Sequence, residues 1–261
     1  MNTGKRESGN APRPLYLIAE PRSGSSWLMN TLGSHPQIHL RGELLNPQAF
    51  PEAQRFENMP PEIHAQCLAY LEDPGENEAR MWTGCKLLLP HLLRTGNNFI
   101  GKLLRRVRER DGRVVFLTRA DMLAARISQD LAIKTGKWHV SRPGQRHTAT
   151  LEPDPEEFWW KMDAAWKWRQ ELSAYLEESG VPLLRLTYED LFAHPRGELR
   201  RISAFLEIPV RGFTRCREVR ANPRPPHRVI RNYSDVAERL VRDPRFAPML
   251  AEPGHNKGDA G

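Results

Sequence analysis

The sequence predicts an α/β fold in which a mostly parallel sheet is flanked by helices. Two observations support this prediction. Short, continuous apolar runs of strand length recur along the chain, as at residues 15–19 and 113–118. Between them lie longer segments whose apolar residues recur at helical spacing, and such alternation is typical of parallel sheets.

The elements follow in order from these two patterns. Strands are predicted at residues 15–19, 38–40, 83–89, 113–118 and 181–187. Helices are predicted over the segment that runs up to His35 and at residues 62–72, 97–110, 121–135, 154–179, 196–206 and 233–241. Asp121 is a candidate N-cap for its helix. Residues 139–155 and 211–231 are polar or rich in Arg and Pro, so we expect long irregular loops there.

The chain shows no composition break that would separate two domains. We therefore expect one α/β domain over residues 14–242, preceded by a disordered lead at 1–13 and followed by a flexible tail at 243–261. The N-terminus lacks the apolar core of a secretory signal, and no apolar run reaches the roughly 20 residues of a membrane span. These features predict a cytoplasmic protein without a transmembrane segment.

The composition is basic and rich in arginine. The chain has 261 residues and a formal net charge of +7, and 31 of its 39 basic residues are arginine. Because guanidinium groups bind phosphate or sulfate through two parallel hydrogen bonds, this favours an anionic partner, although genomic base composition explains the excess equally well. Its three cysteines lack the spacing of a metal site or a disulfide framework, so no metal is expected: Cys67, Cys85 and Cys216.

The loop at residues 22–26 is the strongest candidate for a binding site. It reads Arg-Ser-Gly-Ser-Ser, follows a buried strand and opens a helix. Small residues let the backbone turn and point N–H groups at an anion, and the helix dipole adds to the attraction. An ordinary turn with a serine N-cap is the alternative. Neither the Gly-Lys-Ser/Thr of a Walker loop nor a dinucleotide-binding glycine pattern is present.

Residues 21–27, Pro-Arg-Ser-Gly-Ser-Ser-Trp, resemble the loop of sulfotransferases that use 3′-phosphoadenosine 5′-phosphosulfate (PAPS). The resemblance covers roughly residues 14–242 and is closest to bacterial carbohydrate sulfotransferases acting on trehalose or nodulation lipo-oligosaccharides. It implies a three-layer, P-loop-like fold, PAPS as co-substrate and no metal. It assigns donor binding to these residues: Arg22, Ser23, Gly24, Ser25, Ser26, Trp27, Arg119 and Ser128.

Two of those assignments carry open alternatives. Arg119 at a strand end and Ser128 on the next helix resemble the family's 3′-phosphate site, but nine residues separate them where many members have eight. Arg126 could compensate for a paired arginine that this chain lacks. Trp27 stands where some members stack tryptophan on adenine, and packing on the first helix explains it equally well.

For catalysis, the resemblance implies Glu43 as the base that takes the acceptor's proton. Arg22 would stabilise the leaving phosphate and the sulfuryl oxygens. A glutamate would suit this role if burial raises its pKa towards the operating pH. Cytosolic members use histidine, and the candidates here are His35, His39 and His139. Lys86 could face the site from its strand.

The predicted partner is a small-molecule or glycan hydroxyl acceptor, and a homodimer fits the resemblance. A P-loop nucleotide kinase or hydrolase is the first rival function, and it lacks the Walker residues. A non-catalytic polyanion-binding protein is the second rival. We expect no nucleic-acid partner, because basic and aromatic residues are not interleaved in any segment.

Overall fold

Five parallel strands form one sheet in the part of the chain that the computed structural model describes, residues 12–49, 51–56, 60–73, 80–140, 142–214 and 222–250. The strands are β1 (Arg13–Ala19), β2 (Ile38–Arg41), β3 (Trp82–Leu88), β4 (Arg113–Thr118) and β5 (Leu183–Thr187). Their order across the sheet is β2-β3-β1-β4-β5. Because all pairs are parallel, the carboxyl ends of the strands share one edge.

Side chains of the central strands alternate between two apolar layers. On β1, Tyr16 and Ile18 pack into one layer, and Leu15 and Leu17 pack into the other. Both faces of the central strands are therefore buried. This explains why their sequences are continuous hydrophobic runs and do not alternate between apolar and polar residues. The predicted α/β fold with a parallel sheet between helical layers is confirmed.

The helices fall mostly where the periodicity places them. They are α1 (Ser25–Gly33), α2 (His64–Glu72), α3 (Leu89–Leu93), α4 (Asn97–Glu109), α5 (Met122–Thr135), α6 (Pro155–Glu178), α7 (Tyr188–Ala193), α8 (Pro195–Leu206) and α9 (Tyr233–Val241). Asp121 caps α5 as predicted, because its carboxylate accepts the backbone N–H of Ala124 at 2.8 Å. The short helices α3 and α7 were not predicted.

Contacts between Cα atoms divide the chain into two compact units. The first unit comprises Met1–Arg119 and Trp168–Arg217 and contains the sheet. The second comprises Ala120–Lys167 and Glu218–Gly261. The single domain expected over residues 14–242 stays a prediction.

The second unit has its own apolar core, formed by α5, α9 and the first half of α6. Phe246, beyond α9, is fully buried in it. Arg245 donates to Asp163 on α6 at 2.7 Å and to Asp243 at 2.6 Å. Residues 243–250 are therefore packed rather than extended as a tail, while 251–261 lie outside the described residues.

The two segments predicted as loops are irregular where the structure describes them, apart from single 3-10 turns. Within the second unit they bind each other: Arg224 donates to the carbonyl of Thr148 at 3.1 Å and to that of Ala149 at 2.6 Å. Arg224 therefore fixes loop backbone. Residues 141 and 215–221 lie outside the described range.

Candidate active site

The loop after β1 adopts a backbone that few residue types tolerate. Arg22 has a φ of 61° and Gly24 a φ of 79°, both in the left-handed region. A left-handed arginine is uncommon, and such strain persists only where surrounding contacts hold it. Two left-handed residues around Ser23 turn successive N–H groups to one side of the loop, which is the geometry of an anion-binding nest.

Gly24 is required at its position for two reasons. A side chain would be strained at its φ, and a Cβ there would lie 3.1 Å from the ring of Tyr188 and 3.2 Å from that of Phe192. Gly24 is also the N-cap residue of α1 and has no side chain to accept the first N–H groups of the helix. These groups are therefore oriented to receive an anion.

The three serines of the loop have different surroundings. Ser23 is fully buried, and its hydroxyl donates to the carbonyl of Glu20 at 2.6 Å, so that hydroxyl shapes the loop. Ser25 is buried at the start of α1. Ser26 is partly exposed, and its Oγ accepts a hydrogen bond from Lys86 Nζ at 3.0 Å.

Arg119 follows β4 and contacts the same loop. Its Nη1 donates to the carbonyl of Arg22 at 3.0 Å, and its guanidinium carbon lies 4.3 Å from the centre of the Tyr188 ring. Its Nε is buried and has no hydrogen-bond partner among the described residues. An unpaired buried donor is costly, so this N–H group is suited to donate a hydrogen bond to a ligand oxygen.

A buried ion pair beneath the loop was missed by the sequence analysis. Glu20 follows β1, and both of its carboxylate oxygens accept hydrogen bonds from the guanidinium of Arg169 on α6. The same carboxylate accepts the backbone N–H of Arg119 at 2.9 Å, and Arg169 donates to the Arg119 carbonyl at 2.7 Å. Glu20 and Arg169 therefore fix the ends of β1 and β4 relative to each other.

Glu43 lies where the sequence predicts, two residues after β2. Its Oε1 is 2.7 Å from Lys86 Nζ, and its Oε2 accepts the Asn46 amide at 2.9 Å. The carboxylate keeps some exposure, whereas the Lys86 side chain is 3% exposed. Lys86 therefore links Glu43 to the loop at residues 22–26 through Ser26.

The protonation behaviour of Glu43 differs from the sequence expectation. Burial by itself raises the pKa of its carboxyl group. The charge and hydrogen bond of the Lys86 ammonium, together with Asn46 and His91, outweigh that effect. The pKa of Glu43 therefore lies below its ordinary value, and the group is ionised at neutral pH.

The histidine alternatives have other roles or other positions. His35 is buried with one ring nitrogen 3.0 Å from the carbonyl of Pro209 and the other accepting the N–H of Gln37 at 3.2 Å, so both nitrogens are engaged. His39 lies on β2, where burial, Arg41 and Arg80 lower its pKa. His139 is exposed and belongs to the second unit.

For three residues predicted to contact PAPS, the structure gives less support than for Arg119. Trp27 is only 6% exposed and packs against Phe192 with ring centres 5.8 Å apart, so the packing alternative describes it. Ser128 lies on α5 and is mostly buried, and its contact with a 3′-phosphate stays a prediction. Arg126 is paired with Asp130 one turn along that helix.

Comparison with known proteins gives one relative along nearly the whole chain. Nodulation protein H of Rhizobium tropici is 27% identical over 239 residues, which span 90% of this chain and 92% of that protein. At this identity the sulfotransferase family, to which residues 21–27 point, stays a prediction. No family model matches it.

Two solved structures show a weaker likeness to this chain. The sulfotransferase from Alicyclobacillus acidocaldarius is 15% identical with a TM-score of 0.44, over 91% of this chain and 96% of that one. Mouse sulfotransferase SULT7A1 complexed with PAP is 16% identical with a TM-score of 0.41, over 76% and 59%. Both TM-scores are too low to support an inference about the site.

Neither a membrane-spanning helix nor a metal-binding cluster is found in the described part of the chain. None of the helices there is both long and apolar enough to cross a membrane. Within the same residues, no three His, Cys, Asp or Glu side chains are grouped so that they could hold a metal ion.

Proposed function

We propose that this protein is a sulfotransferase that moves a sulfuryl group from PAPS to a hydroxyl group of a carbohydrate or glycolipid. The observation that carries the proposal is the loop at Arg22–Ser26. Its left-handed backbone and the uncapped start of α1 suit the 5′-phosphosulfate end of the donor. The identity to Nodulation protein H and the resemblance to carbohydrate-sulfating enzymes support the acceptor class.

The transfer is an in-line displacement at sulfur. The acceptor oxygen forms a bond to sulfur while the bond from sulfur to the bridging oxygen of the 5′-phosphate breaks, and that oxygen keeps the electron pair. Glu43 accepts the proton of the acceptor hydroxyl as the new bond forms. The products are a sulfate ester and 3′-phosphoadenosine 5′-phosphate (PAP).

The cationic residues stabilise the charge that develops on the leaving phosphate. Arg22 supplies a full positive charge at the turn of the loop, and the N–H groups of α1 add preorganised dipoles. Positioning and electrostatics carry most of such a reaction, as in phosphoryl transfer.

Arg119 supports recognition of the donor's 3′-phosphate. Its unpaired, buried Nε and its place at the end of β4 give it a donor for that group. Arg119 also holds the carbonyl of Arg22, so loss of its side chain would affect both ends of the donor.

Ligand-dependent melting of the full chain tests donor binding. Saturating PAP should raise the melting temperature by about 5 °C, and AMP, which lacks the 3′-phosphate, should raise it much less. In Arg119→Met the advantage of PAP over AMP should disappear. Arg108→Met is the matched control, because Arg108 lies in the last turn of α4, before the opposite edge of the sheet.

The outcomes separate the proposal from its rival. No shift with millimolar PAP contradicts the proposal, and a shift with ATP and Mg²⁺ that ignores the 3′-phosphate favours a nucleotide kinase or hydrolase. The acceptor class is tested by incubation with PAPS and trehalose, chito-oligosaccharides, lipopolysaccharide sugars, phenols or simple alcohols. The acceptor should gain the mass of one SO₃ group only with the sugars.

A further inference from the structure

One buried ammonium lies between the two halves of the candidate site. Lys86 Nζ is 2.7 Å from Glu43 Oε1 and 3.0 Å from Ser26 Oγ, and the residue is 2% exposed. Glu43 is the candidate base for the acceptor, and Ser26 belongs to the loop for the donor. The two partners therefore share one cation.

The position of Lys86 follows from the sheet. Lys86 pairs with Leu17 in the β1–β3 register, near the carboxyl ends of both strands. Its neighbours Cys85 and Leu87 pack into one apolar layer, so its own side chain points to the opposite face, where α1 begins. An ammonium has three N–H donors, and Glu43 and Ser26 account for two of them.

A single buried ammonium such as that of Lys86 cannot stabilise two neighbouring anions as strongly as it stabilises one. Charges attract each other more strongly in a partly dehydrated site than in water, and a buried ammonium is stable only beside an anion. In the ligand-free protein that anion is Glu43. A phosphosulfate bound at the loop would bring a second anion close to Ser26.

We propose that Lys86 is a shared cation that couples donor binding to the base, serving Glu43 alone in the empty site and also the donor's 5′-end in the loaded one. The inference rests on the proposed function, since it takes the donor loop and the base from there. It makes Lys86 a residue that contacts the donor.

The coupling changes the strength of the base. In the empty site, Lys86 keeps the pKa of Glu43 low, so the carboxylate holds a proton weakly. When the negatively charged donor also interacts with the Lys86 ammonium, the proton affinity of Glu43 rises. By linkage, the charge of Glu43 must then weaken donor binding by the same factor. The acceptor is thus deprotonated most readily when the donor is in place.

Other groups around Glu43 do not duplicate this role. Among the described residues, the groups that act most strongly on its carboxyl are Lys86 and, more weakly, His91 on α3, with Asn46 as a neutral hydrogen-bond donor. Of these, Lys86 also contacts the phosphate loop. A coupling between loop and base should therefore depend on Lys86.

A double-mutant cycle on PAP affinity, measured by calorimetry on the full chain, tests the inference. Glu43→Gln should tighten PAP binding by roughly fivefold, because Lys86 then serves the donor alone. Lys86→Met should weaken binding. In the double variant, the gain from Glu43→Gln should vanish, since no shared cation remains.

Each outcome has one meaning. If Glu43→Gln tightens PAP binding equally with and without Lys86, the cause is simple repulsion between carboxylate and donor, and the inference is overturned. It is also overturned if Glu43→Gln does not tighten PAP binding at all. Failure of the wild-type protein to bind PAP would instead overturn the proposed function. If Lys86→Met does not fold, Lys86→Gln repeats the cycle with an uncharged side chain that still donates a hydrogen bond.

Discussion

Two glutamates at the same edge of the sheet illustrate two uses of one side chain. Glu20 ends β1 and is bound through both oxygens by the Arg169 guanidinium and by the backbone N–H of Arg119. Glu43 follows β2 and is bound by the Lys86 ammonium and the Asn46 amide. The Glu20 side chain is 10% exposed and that of Glu43 is 21% exposed.

The cation explains the difference between the two sites. A guanidinium is a planar fork that fits a carboxylate in one orientation, so Arg169 holds Glu20 and the strand ends around it. An ammonium is a point charge that can turn between several acceptors, so Lys86 can serve Glu43 and a ligand. The first pair is suited to fixing geometry, and the second is suited to chemistry.

Glu43→Gln should give the largest effect of any change at the two sites. We expect turnover to fall by about 10²- to 10⁴-fold, because the amide cannot accept the acceptor's proton. The melting temperature should fall as well, because the buried Lys86 ammonium loses the carboxylate beside it and keeps only a hydrogen bond to the amide. Steady-state rates with PAPS and thermal melting measure both. Wild-type turnover in this variant would contradict the role of Glu43 as the base.

Arg169→Met should act mainly on stability. Removal of the guanidinium leaves the buried Glu20 side chain with the backbone N–H of Arg119 and no cation beside it, which costs about 3 kcal/mol. Urea unfolding measures this loss. Arg169→Lys should recover only part of it, because lysine cannot form the bidentate pair. A loss below about 1 kcal/mol in Arg169→Met would show that the pair does not support the fold.

Glu238→Gln should have the smallest effect and sets the baseline for the comparison. Glu238 pairs with Arg242 one helical turn away, and both side chains are about two-thirds exposed. Such pairs contribute only about 0.3–0.5 kcal/mol, so urea unfolding should barely change. A larger loss here would mean that exposed pairs also support the fold, which would weaken the contrast between Glu20 and the surface.

Much of the fold was predictable because its signals are local. The bounds of β4 and α9 match the prediction, since each is a continuous apolar run or a regular amphipathic stripe. The helix α7 was missed because six residues are too few to show periodicity. A signal was present, however: Thr187 accepts the backbone N–H of Asp190 at 3.1 Å and caps the helix.

The site was predictable only in part, for a similar reason. The loop at residues 22–26 and Glu43 each follow a strand, and the sequence shows both. Arg169 is one of 31 arginines, and its partner Glu20 lies 149 residues away along the chain, so no local pattern distinguishes it. The balance between burial and Lys86 that sets the pKa of Glu43 also depends on tertiary contacts.

The pairing of Arg245 with Asp163 has a consequence for the order in which the protein is made. The two residues are 82 positions apart, and the ribosome adds roughly 5–20 residues per second, so Asp163 waits on the order of 4–16 s for its partner. Phe246, which completes the same core, emerges later still. During that interval the apolar faces of α5 and α6 are without this cover, which makes the nascent second unit a natural client for a chaperone.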